Sequence, residues 1–171
     1  AYSVMPQSQS SSAMILVNGR IESYLKYQDI AQHFHRQGFS VYMIDHRGQG
    51  LSQRLTVDHH KGHVNKFNDY VDDLDMFINN VVVPNNHDHV MILGHSMGGA
   101  IVTRYLQTCE HPITKAILAS PMHGVILPAP KVLVNIVARL LRYKDRLLSA
   151  PPSYILGGTS YNNAPFDGND L

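Results

Sequence analysis

The stretch Val90-Met91-Ile92-Leu93-Gly94-His95-Ser96-Met97-Gly98-Gly99 constrains the fold of this chain more than any other. An apolar run opens into Gly-x-Ser-x-Gly, and a helical apolar pattern through Ala100, Ile101, Tyr105 and Leu106 follows at once. That order fits a buried strand passing through a sharp turn into a helix, with the serine hydroxyl exposed at the tip, as in a nucleophile elbow. Gly94 and Gly98 have a steric reason to be there, because a side chain at either would crowd a turn whose central residue is already strained.

Around this stretch, strand and helix signals alternate. Residues 1–5 and 13–17 read as strands, with the Ser/Gln-rich segment from Gln7 to Ser12 as the turn between them. Leu25, Tyr27, Ile30, Ala31 and Phe34 recur near helical spacing, and Gly38 is a natural stop. Phe39 to Ile44 is the next strand. Val71, Leu74, Phe77 and Ile78 mark a second amphipathic helix, with Asn68 or Asp69 as its cap. Val90 to Leu93 and Thr114 to Ala119 complete the strands, each a short apolar run of the kind covered on both faces. Such alternation implies right-handed crossovers and a mostly parallel sheet with helices on both faces. Ligands then bind beyond the strands' carboxyl ends. The loops after Val17, Ile44, Leu93 and Ala119 should share that rim, bringing together Gly19-Arg20, Asp45-His46, Ser96 and Met122-His123.

Composition narrows the function classes. The chain has 171 residues, 44% hydrophobic and 16% charged, enough to bury a core. Lys+Arg 14 against Asp+Glu 13 leaves a net charge of +1, no electrostatic footprint for nucleic acid. The single Cys109 cannot form an internal disulfide. No signal peptide or 18-residue apolar run is evident. The chain starts inside a strand-like run (Tyr2, Val4), so its natural N-terminus is expected upstream. Eleven histidines invite a metal reading, but His59-His60 and His63 near Asp58, and His87 and His89 around Asp88, lack metal-binding spacing. No metal and no cofactor are expected.

Several blocks occur in a specific order: Gly19-Arg20-Ile21-Glu22-Ser23-Tyr24, then Ile44-Asp45-His46-Arg47-Gly48-Gln49-Gly50, then Gly62-His63-Val64-Asn65 with Phe67-Asn68-Asp69-Tyr70-Val71-Asp72-Asp73-Leu74, and then the elbow His95-Ser96-Met97-Gly98-Gly99. Together they resemble the bacterial inner-membrane-associated lysophospholipases, in the monoacylglycerol-lipase branch of the α/β-hydrolases. The resemblance is dense from about residue 13 to 125. It implies an α/β-hydrolase fold, and a serine esterase that deacylates lysophospholipids or monoacylglycerols through an acyl-enzyme on Ser96. It also implies a cytoplasmic location, with peripheral contact at the inner face of the bacterial inner membrane. In this fold the oxyanion donors are the backbone N–H after the nucleophile, here Met97, and one from the loop after an earlier strand, by resemblance Arg20. The Arg20 guanidinium could separately meet a lipid phosphate or remain solvated. A non-catalytic α/β-hydrolase-fold protein that binds a lipid or partner in the same crevice is the alternative, and another hydrolase or acyltransferase on this scaffold is a third.

The catalytic set looks incomplete. Serine needs a histidine base oriented by a carboxylate, in the chain order Ser, Asp or Glu, His. After Ser96 the acids are Glu110, Asp145, Asp167 and Asp170, and the histidines are His111 and His123. Only Glu110 precedes a histidine, and it sits at the far end of the elbow helix. The expectation is a chain truncated before the acid- and histidine-bearing strands, inactive alone. His95 and His46 adjoin the chemistry without being the base; Asp45 and Arg47 are expected to brace their own turn, and His123 to be pocket wall or cap hinge.

From Gly124 the alternation stops. Residues 1–124 read as the N-terminal part of the core and 125–171 as the start of a helical cap. Pro128 and Pro130 precede a helix from Lys131 to Leu148, with Leu133, Ile136, Val137, Leu140, Leu141 and Leu148 along one side. Pro151-Pro152 end it, and a polar tail follows from Gly157. Lys131, Arg139, Arg142, Lys144 and Arg146 against Asp145 give this helix a charge of +4. Such a helix can lie on an anionic bilayer, or its apolar face can simply roof a site.

Overall fold

The computed structural model describes residues 1–8, 10–59, 61–124 and 130–147. His60, Pro128, Leu148, Pro151, Pro152, the tail from Gly157, Asp167 and Asp170 lie outside the described residues. Five strands, β1 (Tyr2–Met5), β2 (Ser12–Val17), β3 (Ser40–Ile44), β4 (His89–His95) and β5 (Ile113–Ala119), form one sheet in the order β1-β3-β2-β4-β5. The helices are α1 (Gln28–Arg36), α2 (Asn68–Phe77), α3 (Met97–Thr108) and α4 (Lys131–Leu147). All strand pairs are parallel except β1–β3. This is the α/β arrangement implied by the alternation. β1 does not pair with β2 across the short Pro6–Ser11 connection, because β3 and β4 occupy both edges of β2.

β2 shows why its sequence is an unbroken apolar run. Ala13, Ile15 and Val17 face a core that also holds Tyr70, Val71, Leu74 and Phe77 of α2 and Ile101, Val102 and Tyr105 of α3. Met14 and Leu16 face the opposite core, with Tyr27 and with Ala31 of α1. A strand covered on both faces cannot alternate with polar residues. β5 departs from that expectation: Thr114 to Leu118 are exposed, with Ile117 42% and Leu118 37% accessible. Among the described residues it has a strand neighbour on one side only, β4.

α1 ends as anticipated, with Gly38 at φ +90 and its N–H donating to His35 O. The cap of α2 differs. Phe67 occupies the N-cap position without a side-chain bond, and Asp69 reaches back to accept the Lys66 N–H at 3.1 Å. Asn68 and Asp69 are therefore inside the first turn, where a carboxylate still complements the helix dipole.

The chain divides into two units, residues 1–55 with 62–123 and residues 56–61 with 124–171. In the second, α4 exposes Val132, Leu133, Ile136, Leu140, Tyr143 and Leu147. No described helix is long and apolar enough to cross a membrane.

Candidate active site

Ser96 sits between β4 and the first residue of α3 with φ 52 and ψ −118. A non-glycine residue in this region costs about 1–3 kcal/mol and persists only where its surroundings impose it. They do so at both ends. The Ser96 N–H donates to Ala119 O at 3.0 Å, and Ser96 O accepts from Met122 N at 2.9 Å, so the end of β5 holds the turn. A Cβ on Gly94 would stand 2.8 Å from both Gly98 O and Gly99 Cα. One on Gly98 would stand 2.3 Å from Val17 O and 2.4 Å from Asn18 O. The first glycine lets the turn close on itself. The second lets the start of α3 lie directly on the carboxyl end of β2, where the next loop begins.

That loop, Asn18 to Tyr24, is held by three side chains. Asp45 accepts from Asn18 Nδ2 (3.1 Å), Ser23 Oγ (3.1 Å) and Tyr24 N (2.6 Å), and from Leu51 N (2.8 Å) in its own turn. Buried Gln49 donates to Gly19 O (2.7 Å) and Glu22 O (3.3 Å) and accepts from Ile21 N (3.1 Å). Glu22 Oε2 accepts the Gly19 N–H at 2.7 Å. Ile21, at φ 59, is a second strained non-glycine residue on this rim. Between these clamped groups the Arg20 N–H has no hydrogen-bond partner among the described residues. The Met97 N–H, first in α3, has no acceptor within its own helix. Both are donors available to a ligand oxygen.

The expected rim therefore forms, with one exception. Parallel register puts Val17 opposite both Ile44 and Gly94, and His95 opposite Ala119. Met122 joins Ser96 through the backbone, but His123 turns to the flank of α3, its Nε2 2.9 Å from Thr103 Oγ1. There it lines an open cleft of about 460 Å³ with Phe67, Thr103, Arg104 and Met122. His46 is buried with Nε2 3.1 Å from Asn18 O, and that burial lowers its pKa against the pull of the Asn18 carbonyl, Asp45 and Asp73. His95 Nδ1 lies 2.9 Å from Tyr27 Oη and 3.3 Å from Glu22 Oε2. Ser96 Oγ has no hydrogen-bond partner among the described residues.

Arg47 corrects its expected role. It does not brace its own turn but forks onto Asp73, with bonds of 2.6 and 2.5 Å, pinning the turn to α2. Asp45 braces two loops rather than one. Among the described residues no group of three His, Cys, Asp or Glu side chains could hold a metal ion. The sequence alone assigns no role to Glu22, Tyr27 or Gln49, although Glu22 and Gln49 lie within the blocks that carry the resemblance; the available signals are those blocks and a carboxylate three residues after a loop glycine.

The family model described as serine aminopeptidase, S33 matches residues 8–155. The chain belongs to that family of hydrolases. It is 38% identical over 168 residues to the probable lysophospholipase L2 of Haemophilus influenzae, covering 98% of this chain and 51% of that protein. To the lysophospholipase L2 of Escherichia coli it is 42% identical over 155 residues, covering 90% of this chain and 44% of the relative. The chain thus spans about half the length of the curated relatives it matches. Among solved structures, a carboxyl esterase from Bacillus coagulans superposes with TM-score 0.67 at 20% identity, over 84% of this chain and 46% of that one. The fold is that of the α/β-hydrolases.

Proposed function

We propose that this chain is the nucleophile-bearing part of a serine hydrolase that deacylates lysophospholipids or monoacylglycerols. The observation that carries the reading is the strained Ser96 elbow packed against a loop whose Arg20 N–H, like that of Met97, has no hydrogen-bond partner among the described residues. The similarity to lysophospholipase L2 over nearly the whole chain supports the substrate class. In the reaction, Ser96 Oγ attacks the acyl carbonyl carbon while its proton passes to a histidine base. The carbonyl oxygen becomes an oxyanion and accepts from the Arg20 and Met97 N–H groups. Collapse of the tetrahedral intermediate expels the glycerol oxygen, which takes the proton back. Water then hydrolyses the acyl-enzyme by the same route. We assign the acid and the histidine to a segment outside these 171 residues, since the chain spans about half the length of its relatives and Ser96 Oγ meets no base among the described residues. Residues 1–124 are then the first part of the core and 125–171 the start of a cap.

The proposal extends to the membrane. At 100° per residue, the exposed Leu133, Ile136, Leu140, Tyr143 and Leu147 form one stripe of α4, bordered by exposed Arg139 on one side and Lys144 on the other. An apolar stripe between cations suits the inner face of an anionic bilayer. A cytoplasmic location, with that contact, is part of the reading, and the exposed Arg20 guanidinium is suited to a lipid phosphate. Labelling the full-length protein with a fluorophosphonate tests the chemistry. Labelling that disappears in Ser96→Ala, with loss of lysophospholipid hydrolysis, is expected; a protein that never labels would be a binder on the same scaffold. Co-sedimentation with phosphatidylglycerol vesicles should fall on replacing Arg139 and Lys144 by glutamine, and unchanged binding would remove the membrane contact.

A further inference from the structure

We infer that Glu22 is a positioning residue for the oxyanion hole, holding the loop that presents the Arg20 N–H and tying that loop to the strand that carries Ser96. The inference rests on the proposed serine chemistry and names a residue that the chemistry itself does not require. Glu22 is three residues from Gly19, and its Oε2 accepts the Gly19 N–H at 2.7 Å, closing a side-chain-to-backbone ring around Arg20. With Gly19 O and Ile21 N both on Gln49, the peptide group that carries the Arg20 N–H and the one after it are fixed, while Glu22 fixes the one before it through Gly19 N. Arg20's own N–H, between them, has no hydrogen-bond partner among the described residues.

The same carboxylate oxygen reaches across to β4. Tyr27 donates its hydroxyl proton to Glu22 Oε2 at 2.6 Å, and Tyr27 Oη is also 2.9 Å from His95 Nδ1. A phenol has one proton. Once it is given to Glu22, the Tyr27 oxygen can only accept from His95, which puts the imidazole proton on Nδ1. His95 is the residue before Ser96, so a chain of bonds links Gly19 through Glu22 and Tyr27 to the elbow. The two oxyanion donors come from different loops, and this chain supplements the backbone packing of Gly98 in fixing their separation.

The charge state suits the role. Burial works to raise the Glu22 pKa, but bonds from Lys26, Tyr27, the Gly19 N–H and His95 outweigh it and hold it at about 2. Lys26 pairs with the other carboxylate oxygen, Oε1, leaving Oε2 to the site. An acceptor that stays ionised makes the stronger bond to a backbone N–H. Tyr27, raised by burial and by the adjacent carboxylate, stays a donor.

The test uses the full-length protein with a water-soluble short-chain aryl ester. In Glu22→Ala, kcat should fall about 100-fold with KM within about threefold, because a donor displaced by about 1 Å weakens transition-state binding rather than ground-state binding. Glu22→Gln keeps an oxygen able to accept from Gly19 N, and should recover at least about tenfold of that loss. Both are assayed about 20 °C below the Tm of the weaker variant, where a purely structural role would leave kcat unchanged. A folded Glu22→Ala with kcat near wild type would overturn the inference, and so would a Gln variant no better than Ala. Should Glu22→Ala not fold, Tyr27→Phe carries the test: it removes the shorter of the two links to His95, leaving only the direct 3.3 Å contact of Glu22 with His95, and should lower kcat alone; an unchanged kcat would overturn the role. Ser96→Ala separates the two readings. If it abolishes turnover while the Glu22 variants do not affect it, the positioning role fails and the serine chemistry stands; if it leaves turnover intact, both fail.

Discussion

Gly98→Ala puts the packing of the elbow to a direct test. The added Cβ would meet Val17 O at 2.3 Å and Asn18 O at 2.4 Å, both backbone atoms with no rotamer to change. Relief requires about 1 Å of separation between the start of α3 and the end of β2. Forcing a methyl into such a contact costs about 1–3 kcal/mol. For a domain of this size that lowers Tm by about 3–9 °C. The functional loss should be larger than the stability loss suggests. Met97 moves with α3 while Arg20 follows β2, so the displacement opens the gap between the two proposed donors, and about 1 Å there is worth about 100-fold in rate. The assay is the second-order rate of fluorophosphonate labelling of Ser96 in the full-length protein, followed beside thermal unfolding. Gly124→Ala is the control, since a Cβ there has nothing within 4 Å among the described residues. A folded Gly98→Ala that labels at the wild-type rate would refute the claim that this approach sets the geometry.

Other perturbations follow from the same contacts. Asp45→Ala leaves the Tyr24 and Leu51 N–H groups, Asn18 Nδ2 and Ser23 Oγ without their acceptor; a loss of about 3 kcal/mol is expected by urea unfolding, with Asp45→Asn losing less. Glu22, held at about 2 against an ordinary 4.5, binds a proton less readily folded than unfolded, so its contribution is full above about pH 4.5 and disappears as pH falls toward 2. Glu22→Gln should flatten the fall of Tm over this window. His46 becomes charged on protonation where Glu22 becomes neutral, yet the direction is the same: its lowered pKa means that the unfolded chain takes up the proton first, and stability drops as pH falls below 6.5. His46→Gln should lessen that drop, measured by urea midpoints between pH 7 and 5.

How much of this was legible in sequence depended on the range of the interaction responsible. β2, β3 and β4 announce themselves because burial on both faces demands unbroken apolar residues, a constraint that acts locally along the chain. The turn at Ser96 is local only in part: Gly94 relieves it from two residues away, whereas Gly98 answers to the backbone of Val17 and Asn18, far away in the chain. β1 shows the limit: its neighbour is chosen by which sheet edge is free, and no residue within Tyr2–Met5 encodes that. β5 reads as a buried strand because its composition was chosen for burial, yet its faces are exposed in these residues.

The sequence by itself determined the parallel α/β architecture, the elbow and Ser96 as the proposed nucleophile, because periodicity and the spacing of glycines around the serine are read directly along the chain. Only the tertiary structure decided what fixes the oxyanion loop. Asp45, Gln49 and Glu22 act largely on backbone groups, which every residue carries, so their presence in the sequence does not say which groups they hold. Arg47 could be seen to be near a turn, but not that its fork would close on Asp73, 26 residues away. The partner of a hydrogen bond is set by where the chain returns, and that is a property of the folded sheet rather than of any segment within it.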